Sequence, residues 1–153
     1  TPIWDPYAKG LIIGLTLSHR RAHIFRALLE SAAYALRHNV ETARANHIPL
    51  EPRMGLVDGG AKSHLWRRIF ADVTKFPQVY VAQSPGTPLG DALLSGVGTG
   101  VLKGYEAIRD WVKTAEIQEP DPKTSKIYDR YYEAYLKLYE RNKESFKDLY
   151  HLW

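Results

Sequence analysis

The longest regular pattern of apolar positions runs from Arg20 to Asn46. Apolar residues return there every three or four positions, at Ile24, Leu28, Ala32, Leu36 and Val40. This spacing places them on one face of an α-helix and leaves charged residues on the others. We therefore predict one long amphipathic helix from Arg20 to about Asn46.

Shorter patterns predict the remaining elements. Three apolar runs predict β-strands, at Leu11–Leu15, Met54–Val57 and Gln78–Ala82. Three further helices are predicted: one capped by Ser63, one from Pro88 to about Leu102 capped by Thr87, and a tyrosine-rich one from Lys126 to about Tyr150. The polar segment Glu116–Thr124, which contains two prolines, is predicted to be a loop.

The alternation of strands and helices predicts an α/β fold with parallel strands joined by right-handed crossovers. About three strands are few for such a sheet, so the missing strands are expected upstream or in a partner chain. The helix from Pro88 carries four glycines, each costing about 1 kcal/mol relative to alanine in a helix interior. We expect these glycines to allow close packing of the helix backbone against a sheet or another backbone. They are Gly90, Gly96, Gly98 and Gly100.

Composition narrows the classes of function. The 153 residues suit one domain, and the absence of cysteine excludes disulfides, thiolate metal sites and a cysteine nucleophile. The formal charge is +4, but the basic residues are scattered, so we predict no nucleic-acid partner. No apolar run is long enough for a membrane span, and the start does not resemble a signal peptide. We therefore expect a cytoplasmic protein without a membrane partner.

The stretch from Val57 to Ser63 carries the most chemistry. A strand leads into Gly59 and Gly60 and then directly into a capped helix. Paired glycines let backbone N–H groups approach a ligand, and a turn after a parallel strand is where α/β folds bind ligands. The spacing fits neither G-x-G-x-x-G nor a Walker loop. A nucleotide site and a purely structural turn both remain open, and Lys62 suits a phosphate contact as well as solvent.

Other candidate residues give weaker signals. His19 and His23 share one helix face, but no glutamate completes a zinc-protease pattern, so no metal site is predicted. No serine lies in a nucleophile elbow. Four carboxylates are candidate bases, of which the last two are better explained by helix-end or packing contacts: Asp5, Asp58, Asp72 and Asp91. The tyrosine stripe of the last helix is read as core or interface.

Four segments in the same order resemble the carboxyl-terminal domain of FGGY carbohydrate kinases over nearly the whole chain. The segment Trp4–Gly10, with Gly14-Leu15-Thr16 after it, resembles the approach to that domain's first long helix, and Arg26–Tyr34 resembles the helix itself. Asp58–Ser63 resembles the adenosine motif, with Leu65-Trp66 and Ala71-Asp72-Val73 following. Gly86–Ala92 resembles the start of the final glycine- and alanine-rich helix.

The resemblance implies an actin-like ATPase fold of the ribonuclease H type, with ATP between two domains. Residues 1–153 are then the carboxyl-terminal nucleotide-binding domain, without the amino-terminal sugar-binding domain and upstream strands. Gly59, Gly60 and Ala61 would line the adenosine, with Lys62 and Ser63 beside it. The catalytic carboxylate, most of the sugar site, the β- and γ-phosphate loops and the Mg²⁺ ligands would lie outside this chain. The chain alone is therefore expected to be inactive.

The identity of the sugar or polyol substrate is not encoded in these segments. Ala61-Lys62-Ser63, Leu65-Trp66 and the last helix favour a xylulose kinase, whereas the Trp-Asp-Pro-Tyr segment and Asp58-Gly59-Gly60 favour a glycerol kinase. We favour the first. A non-catalytic interaction domain is the alternative of another class, and a Rossmann-like domain is a weaker one because its glycine fingerprint is missing. Missing strands would also leave apolar surface exposed, which predicts self-association.

Overall fold

The structure is a computed structural model that describes residues 2–81, 86–112 and 116–152. Its elements, in chain order, are α1 (Arg21–Ala45), β1 (Met54–Leu56), α2 (Asp58–Ala61), α3 (His64–Thr74), β2 (Gln78–Tyr80), α4 (Thr87–Gly98), a 3-10 turn (Tyr105–Ala107), α5 (Ile108–Trp111), β3 (Glu116–Gln118) and α6 (Pro122–His151). The chain divides into two compact units. The first comprises Thr1–Leu50, Asp72–Thr74 and Asp121–Trp153, and the second comprises Glu51–Ala71 and Lys75–Pro120.

The first unit is built on α1 and α6. Helix α1 agrees with the prediction from the apolar spacing to within one residue at each end. Tyr34 of α1 packs against three tyrosines of α6, namely Tyr128, Tyr132 and Tyr135. Its ring centroid lies 5.5–6.3 Å from each of theirs. Tyr128 and Tyr132 are buried, which confirms that this part of the tyrosine stripe is core. We call these four residues the tyrosine cluster.

Arg37 of α1 connects three parts of the first unit. Its Nε donates to Glu41 Oε1 on α1 (2.8 Å), and its Nη1 forms an ion pair with Asp129 Oδ1 on α6 (2.8 Å). It also donates to the carbonyl oxygen of Val73 (3.3 Å) and lies over the Tyr132 ring, 4.3 Å from the centroid. Burial opposes the charge, but the interactions with the two carboxylates outweigh it and raise the pKa of Arg37.

Asp72 and Asp121 fix the start of α6. Asp72 is buried, and its Oδ1 accepts a hydrogen bond from the backbone N–H of Asp121 at 2.7 Å. Asp121 in turn is the N-cap, since its side chain accepts from the N–H groups of Lys123 and Thr124. The prediction that Asp72 acts in a helix-end contact is confirmed.

The opening segment contacts the last helix in the same unit. Asp5 Oδ1 accepts from the backbone N–H of Tyr7, and Asp5 Oδ2 accepts from the Tyr139 hydroxyl at 3.0 Å. The Tyr7 ring packs edge-on against Tyr150 with centroids 4.8 Å apart. Asp5, a candidate base in the sequence, therefore has a structural role.

The second unit contains a three-stranded sheet of order β1-β2-β3. Strands β1 and β2 are parallel, with Met54 opposite Gln78, and this part of the prediction is confirmed. Strand β3 is antiparallel to β2, with Glu116 opposite Tyr80, so the prediction of an all-parallel sheet is wrong. The predicted third strand at Leu11–Leu15 is also wrong, because that run forms no strand and its side chains are exposed.

The segment Glu116–Thr124 was predicted to be a loop, and this prediction is wrong at both ends. Residues Glu116–Gln118 form β3, and Pro122 opens α6. Proline suits the first turn of a helix because its missing N–H has no intrahelical partner there. The same proline that indicates a break in a polar segment therefore starts the longest helix of the chain.

Helix α4 differs from its prediction in its ends and in its packing. It begins at Thr87 after Gly86, whose φ of 71° favours glycine, so Thr87 is not the cap. Among the described residues, a Cβ at Gly90 or Gly98 would meet nothing within 4 Å, and only Gly96 is packed closely, against Leu102. The predicted close packing is therefore wrong for Gly90 and Gly98. Residue 82, the predicted end of the strand from Gln78, and residues 84–85, a predicted turn, lie outside the described part of the chain.

Candidate functional site

The glycine turn, residues 57–63, follows β1 where the parallel pair ends. Val57 continues the extended backbone, and Asp58–Ala61 then form the single helical turn α2. The N–H groups of Lys62 and Ser63 donate to the carbonyls of Gly59 and Gly60, at 3.2 and 3.1 Å. The sequence predicted that the strand leads through the two glycines directly into α3. In the structure, the separate helical turn α2 lies between them.

Ser63 ends the glycine turn and starts the next helix. Its Oγ accepts a hydrogen bond from the backbone N–H of Trp66 at 3.3 Å, which confirms the predicted cap. Ser63 and Lys62 are exposed to solvent. Both side chains are therefore accessible to a ligand at the glycine turn.

The two glycines have different surroundings. A Cβ at Gly60 would lie 2.5 Å from Cζ3 of the Trp66 ring, so Gly60 is required by the packing of that indole. A Cβ at Gly59 would meet nothing within 4 Å, and Gly59 is exposed. Backbone at Gly59 is thus open to an approaching molecule, whereas Gly60 serves the protein's own interior.

Ala61 is buried, and its carbonyl oxygen accepts a hydrogen bond from Arg67 Nη1 at 2.6 Å. Arg67 Nη2 donates to Glu116 Oε2 of β3 at 2.7 Å, and the guanidinium lies over the Tyr80 ring at 4.3 Å from its centroid. All five predicted residues therefore lie in one turn, but Ala61 contacts the interior.

The sequence analysis did not identify Arg67 or its partners Glu116 and Tyr80 as part of this site. Arg67, Ala71 and Thr74 are spaced i, i+4 and i+7 on α3, and all three are buried. A charged residue in phase with buried positions was the signal that would have identified it, because buried charges are paired. The contribution of Glu116 depends on β3, which the sequence did not predict.

The remaining candidates do not join the glycine turn. His19 and His23 have ring centroids 5.6 Å apart, and their Nδ1 atoms accept from the backbone N–H groups of Thr16 and Arg20. Across the described ranges, no group of three or more histidine or acidic residues is arranged to hold a metal ion. The side chain of Asp58 lies outside the described part. No helix among residues 2–81, 86–112 and 116–152 has the length and apolar character to cross a membrane.

The C-terminal domain model of the FGGY family of carbohydrate kinases matches residues 1–99, which include α1, the glycine turn and α4. The chain belongs to this family. The predicted resemblance is confirmed. The fold prediction, a partial α/β domain of the actin-like ATPase type, is confirmed as well, because the structural neighbours are FGGY kinases.

Relatives within the FGGY family carry two names. A xylulose kinase of Staphylococcus epidermidis is 28% identical over 150 residues, which is 97% of this chain and 30% of that protein. A glycerol kinase of Borrelia hermsii is 40% identical over 134 residues, 86% of this chain and 27% of that protein. The crystal structure of xylulose kinase from Rhodospirillum rubrum superposes with a TM-score of 0.79 and 38% identity, over 94% of this chain and 29% of that one. The chain thus spans about 30% of the length of these relatives.

Proposed function

We propose that this chain is the adenosine-binding part of an ATP-dependent carbohydrate kinase, with Gly59, Gly60, Ala61, Lys62 and Ser63 at the nucleotide. The observation that carries the proposal is the open backbone at Gly59, at the end of the parallel pair β1 and β2. Ligands of α/β sheets bind at that end of the strands. Membership of the FGGY family supports ATP as the nucleotide.

The geometry refines the role of each proposed residue. Gly59 offers accessible backbone to the purine or ribose, while Lys62 and Ser63 present exposed polar side chains beside it. Gly60 and Ala61 support the turn from the side away from solvent. Gly60 packs against the Trp66 ring, and the Ala61 carbonyl accepts a hydrogen bond from Arg67. Adenosine is thus expected above Gly59, on the solvent side of the glycine turn.

Phosphoryl transfer itself is proposed to need residues outside this chain. Such transfer depends on positioning the phosphates and on Mg²⁺, which neutralises charge that develops on the phosphate oxygens. The described part of the chain offers no cluster of three acidic or histidine ligands for that ion. We place the metal ligands and the sugar site in the amino-terminal domain of the kinase.

A xylulose kinase is the more specific form of the proposal, and a glycerol kinase is the alternative. The xylulose kinases of Staphylococcus epidermidis and Rhodospirillum rubrum align over 97% and 94% of this chain. The glycerol kinase of Borrelia hermsii aligns over 86%, with the higher identity of 40%. The longer alignments favour the first. Exposed apolar side chains such as Ile12, Ile13 and Leu94 support the further proposal that the chain self-associates.

The 153-residue chain is expected to show no kinase activity by itself. ADP formation is measured in a coupled assay with ATP, Mg²⁺ and either xylulose or glycerol. The rate should equal that of the buffer because the sugar site and the catalytic base are proposed to lie in the amino-terminal domain. ADP formed in proportion to the chain concentration would contradict the division of roles between the two domains.

The glycine turn is tested by a substitution that the fold tolerates. Gly59→Val places a side chain in open space, so the chain should fold as before and bind ADP at least about tenfold more weakly, measured by isothermal titration. Gly55→Val is the matched control, since a Cβ at this exposed β1 position also meets nothing within 4 Å. It should bind ADP normally.

Two results would contradict the proposed adenosine site. One is equal ADP affinity of Gly59→Val and the native chain, and the other is no ADP binding by the folded native chain. Gly60→Ala separates packing from binding because its methyl group collides with the Trp66 ring. It should lower the melting temperature, which Gly59→Val should leave unchanged.

A further inference from the structure

Arg67 joins the glycine turn to the ends of two strands. Its side chain is 6% exposed, and its two terminal nitrogens hold the Ala61 carbonyl and the Glu116 carboxylate. Tyr80, whose ring lies under the guanidinium, is the last residue of β2 and pairs with Glu116 in the sheet. One planar group therefore fixes α2 against β2 and β3.

Stability alone does not explain an arginine at this position. A buried ion pair is on average no more stabilising than apolar side chains of the same volume. Arg67 Nε has no hydrogen-bond partner within the described residues, which adds to the cost of burying the group. Arginine differs from an apolar residue in its fork of donors, which holds two acceptors at a fixed separation.

The acceptor that Arg67 holds lies in the backbone of the proposed adenosine site. Ala61 is two residues after Gly59, in the same single helical turn. A helix of one turn has few hydrogen bonds of its own, and two backbone bonds close it: those of Lys62 to Gly59 and of Ser63 to Gly60. Its position therefore depends on outside contacts, one of which is the 2.6 Å hydrogen bond from Arg67.

We propose that Arg67 is a positioning residue for nucleotide binding. Its hydrogen bond to the Ala61 carbonyl keeps α2 in the position in which the Gly59 backbone contacts the adenosine, and Glu116 keeps the guanidinium in place. This inference rests on the proposed function. Arg67 itself touches no nucleotide in this arrangement. It acts through the Ala61 carbonyl, and Glu116 acts through Arg67.

The test compares variants of the 153-residue chain in ADP binding and in amide hydrogen exchange. Arg67→Met removes the donor to the Ala61 carbonyl and to Glu116, so it should lower the melting temperature. At a temperature at which circular dichroism shows it folded, it should bind ADP about tenfold more weakly. Arg67→Lys, which can reach one acceptor, should recover part of the affinity, to within about threefold. Glu116→Gln should lose about threefold, and adding it to Arg67→Met should cause no further loss.

Amide exchange distinguishes positioning from general destabilisation. The amides of Lys62 and Ser63 should lose more protection in Arg67→Met than that of Phe70, inside α3. Equal loss of protection at all three amides would overturn the inference, because Arg67 would then act on the stability of the whole unit. If Arg67→Met does not fold, Arg67→Lys and Glu116→Gln provide the same readouts.

The binding data separate this inference from the proposed function. If Gly59→Val loses ADP while Arg67→Met and Glu116→Gln bind it as the native chain does, the adenosine site stands and the role of Arg67 is overturned. If Gly59→Val binds ADP normally, the adenosine site itself is overturned, and the role of Arg67 with it.

Discussion

Arg37→Met is expected to lower the free energy of unfolding by about 2–3 kcal/mol, because it removes charge-assisted contacts to two carboxylates that are 40% and 32% exposed and stay hydrated. The Arg37 side chain is 12% exposed and binds Glu41, Asp129 and the Val73 carbonyl. Methionine fills a similar volume but makes neither the hydrogen bonds nor the ion pairs. Chemical denaturation followed by circular dichroism measures the loss.

Arg26 provides the matched control on the same helix. It also forms an i, i+4 ion pair, with Glu30 at 2.8 Å, and it donates to the Tyr128 hydroxyl, but its side chain is 50% exposed. Arg26→Met is expected to cost about 1 kcal/mol or less because solvent replaces the lost contacts. Arg37→Lys should fall between the two. Equal losses for Arg26→Met and Arg37→Met would contradict the assignment of Arg37 as the connection between α1, α6 and Val73.

Elements that depend on local sequence were predictable. Helix α1 has 25 residues, so the apolar repeat occurs often enough to define both the helix and its buried face. The Ser63 cap needs only a hydroxyl placed three residues before the Trp66 amide. The position of the glycine turn followed in the same way, from a short apolar strand with two glycines after it.

Elements that depend on a distant partner were not predictable. Strand β3 has three residues, too few for a two-residue repeat, and exists because its backbone pairs with β2 nearly forty positions earlier. Leu11–Leu15 shows the reverse case, since this run has the apolar composition of a strand without a pairing strand among the described residues. Apolar composition alone therefore overestimates the strand content.

The position of the candidate site was predicted from the sequence, but the contacts of its residues were not. The five residues Gly59–Ser63 were predicted as one group, yet only the structure distinguishes the open Gly59 from Gly60, which lies against Trp66. Arg67 could have been suspected from its phase on α3, but its partners could not, because Tyr80 and Glu116 meet it through the sheet. Long-range contacts of this kind leave no signal in one sequence.

The second large effect expected is a loss of stability at alkaline pH, caused by the tyrosine cluster. Burial raises the pKa of all four phenols: Tyr34, Tyr128, Tyr132 and Tyr135. The negative charge of Glu30 raises the pKa of Tyr34 further. For Tyr128, a hydrogen bond from Arg26 lowers the pKa but does not outweigh the burial.

The sign follows from proton uptake in the two states. Above pH 10 the unfolded chain loses phenolic protons that the folded chain retains, so the folded state binds more protons and its stability falls as pH rises. The stabilisation is fully present below about pH 10, the pKa of an unperturbed tyrosine. Each buried phenol contributes up to about 1.4 kcal/mol per pH unit above that value. Tyr34 and Tyr132, whose pKa values are raised most, should together cost about 2 kcal/mol between pH 10 and pH 11, and the raised pKa values of Tyr128 and Tyr135 add to this loss.

Tyr34→Phe isolates one member of the cluster. Within the described residues the Tyr34 hydroxyl is buried without a hydrogen-bond partner, so removing it should leave the stability at pH 7 unchanged or slightly higher. Between pH 10 and pH 11 the variant should lose less stability than the native chain, by up to about 1 kcal/mol. Unfolding midpoints in urea at both pH values measure the difference.

Tyr105→Phe is the control for removing a phenol hydroxyl outside the tyrosine cluster. Tyr105 lies in the second unit and is 57% exposed, so solvent surrounds its ring both before and after unfolding. Its removal should leave the alkaline slope of the native chain intact. If Tyr34→Phe and Tyr105→Phe change that slope equally, the alkaline loss arises from surface charge in general. If Tyr34→Phe alone flattens it, the contact between α1 and α6 is what high pH breaks, because that contact holds phenols that must remain neutral.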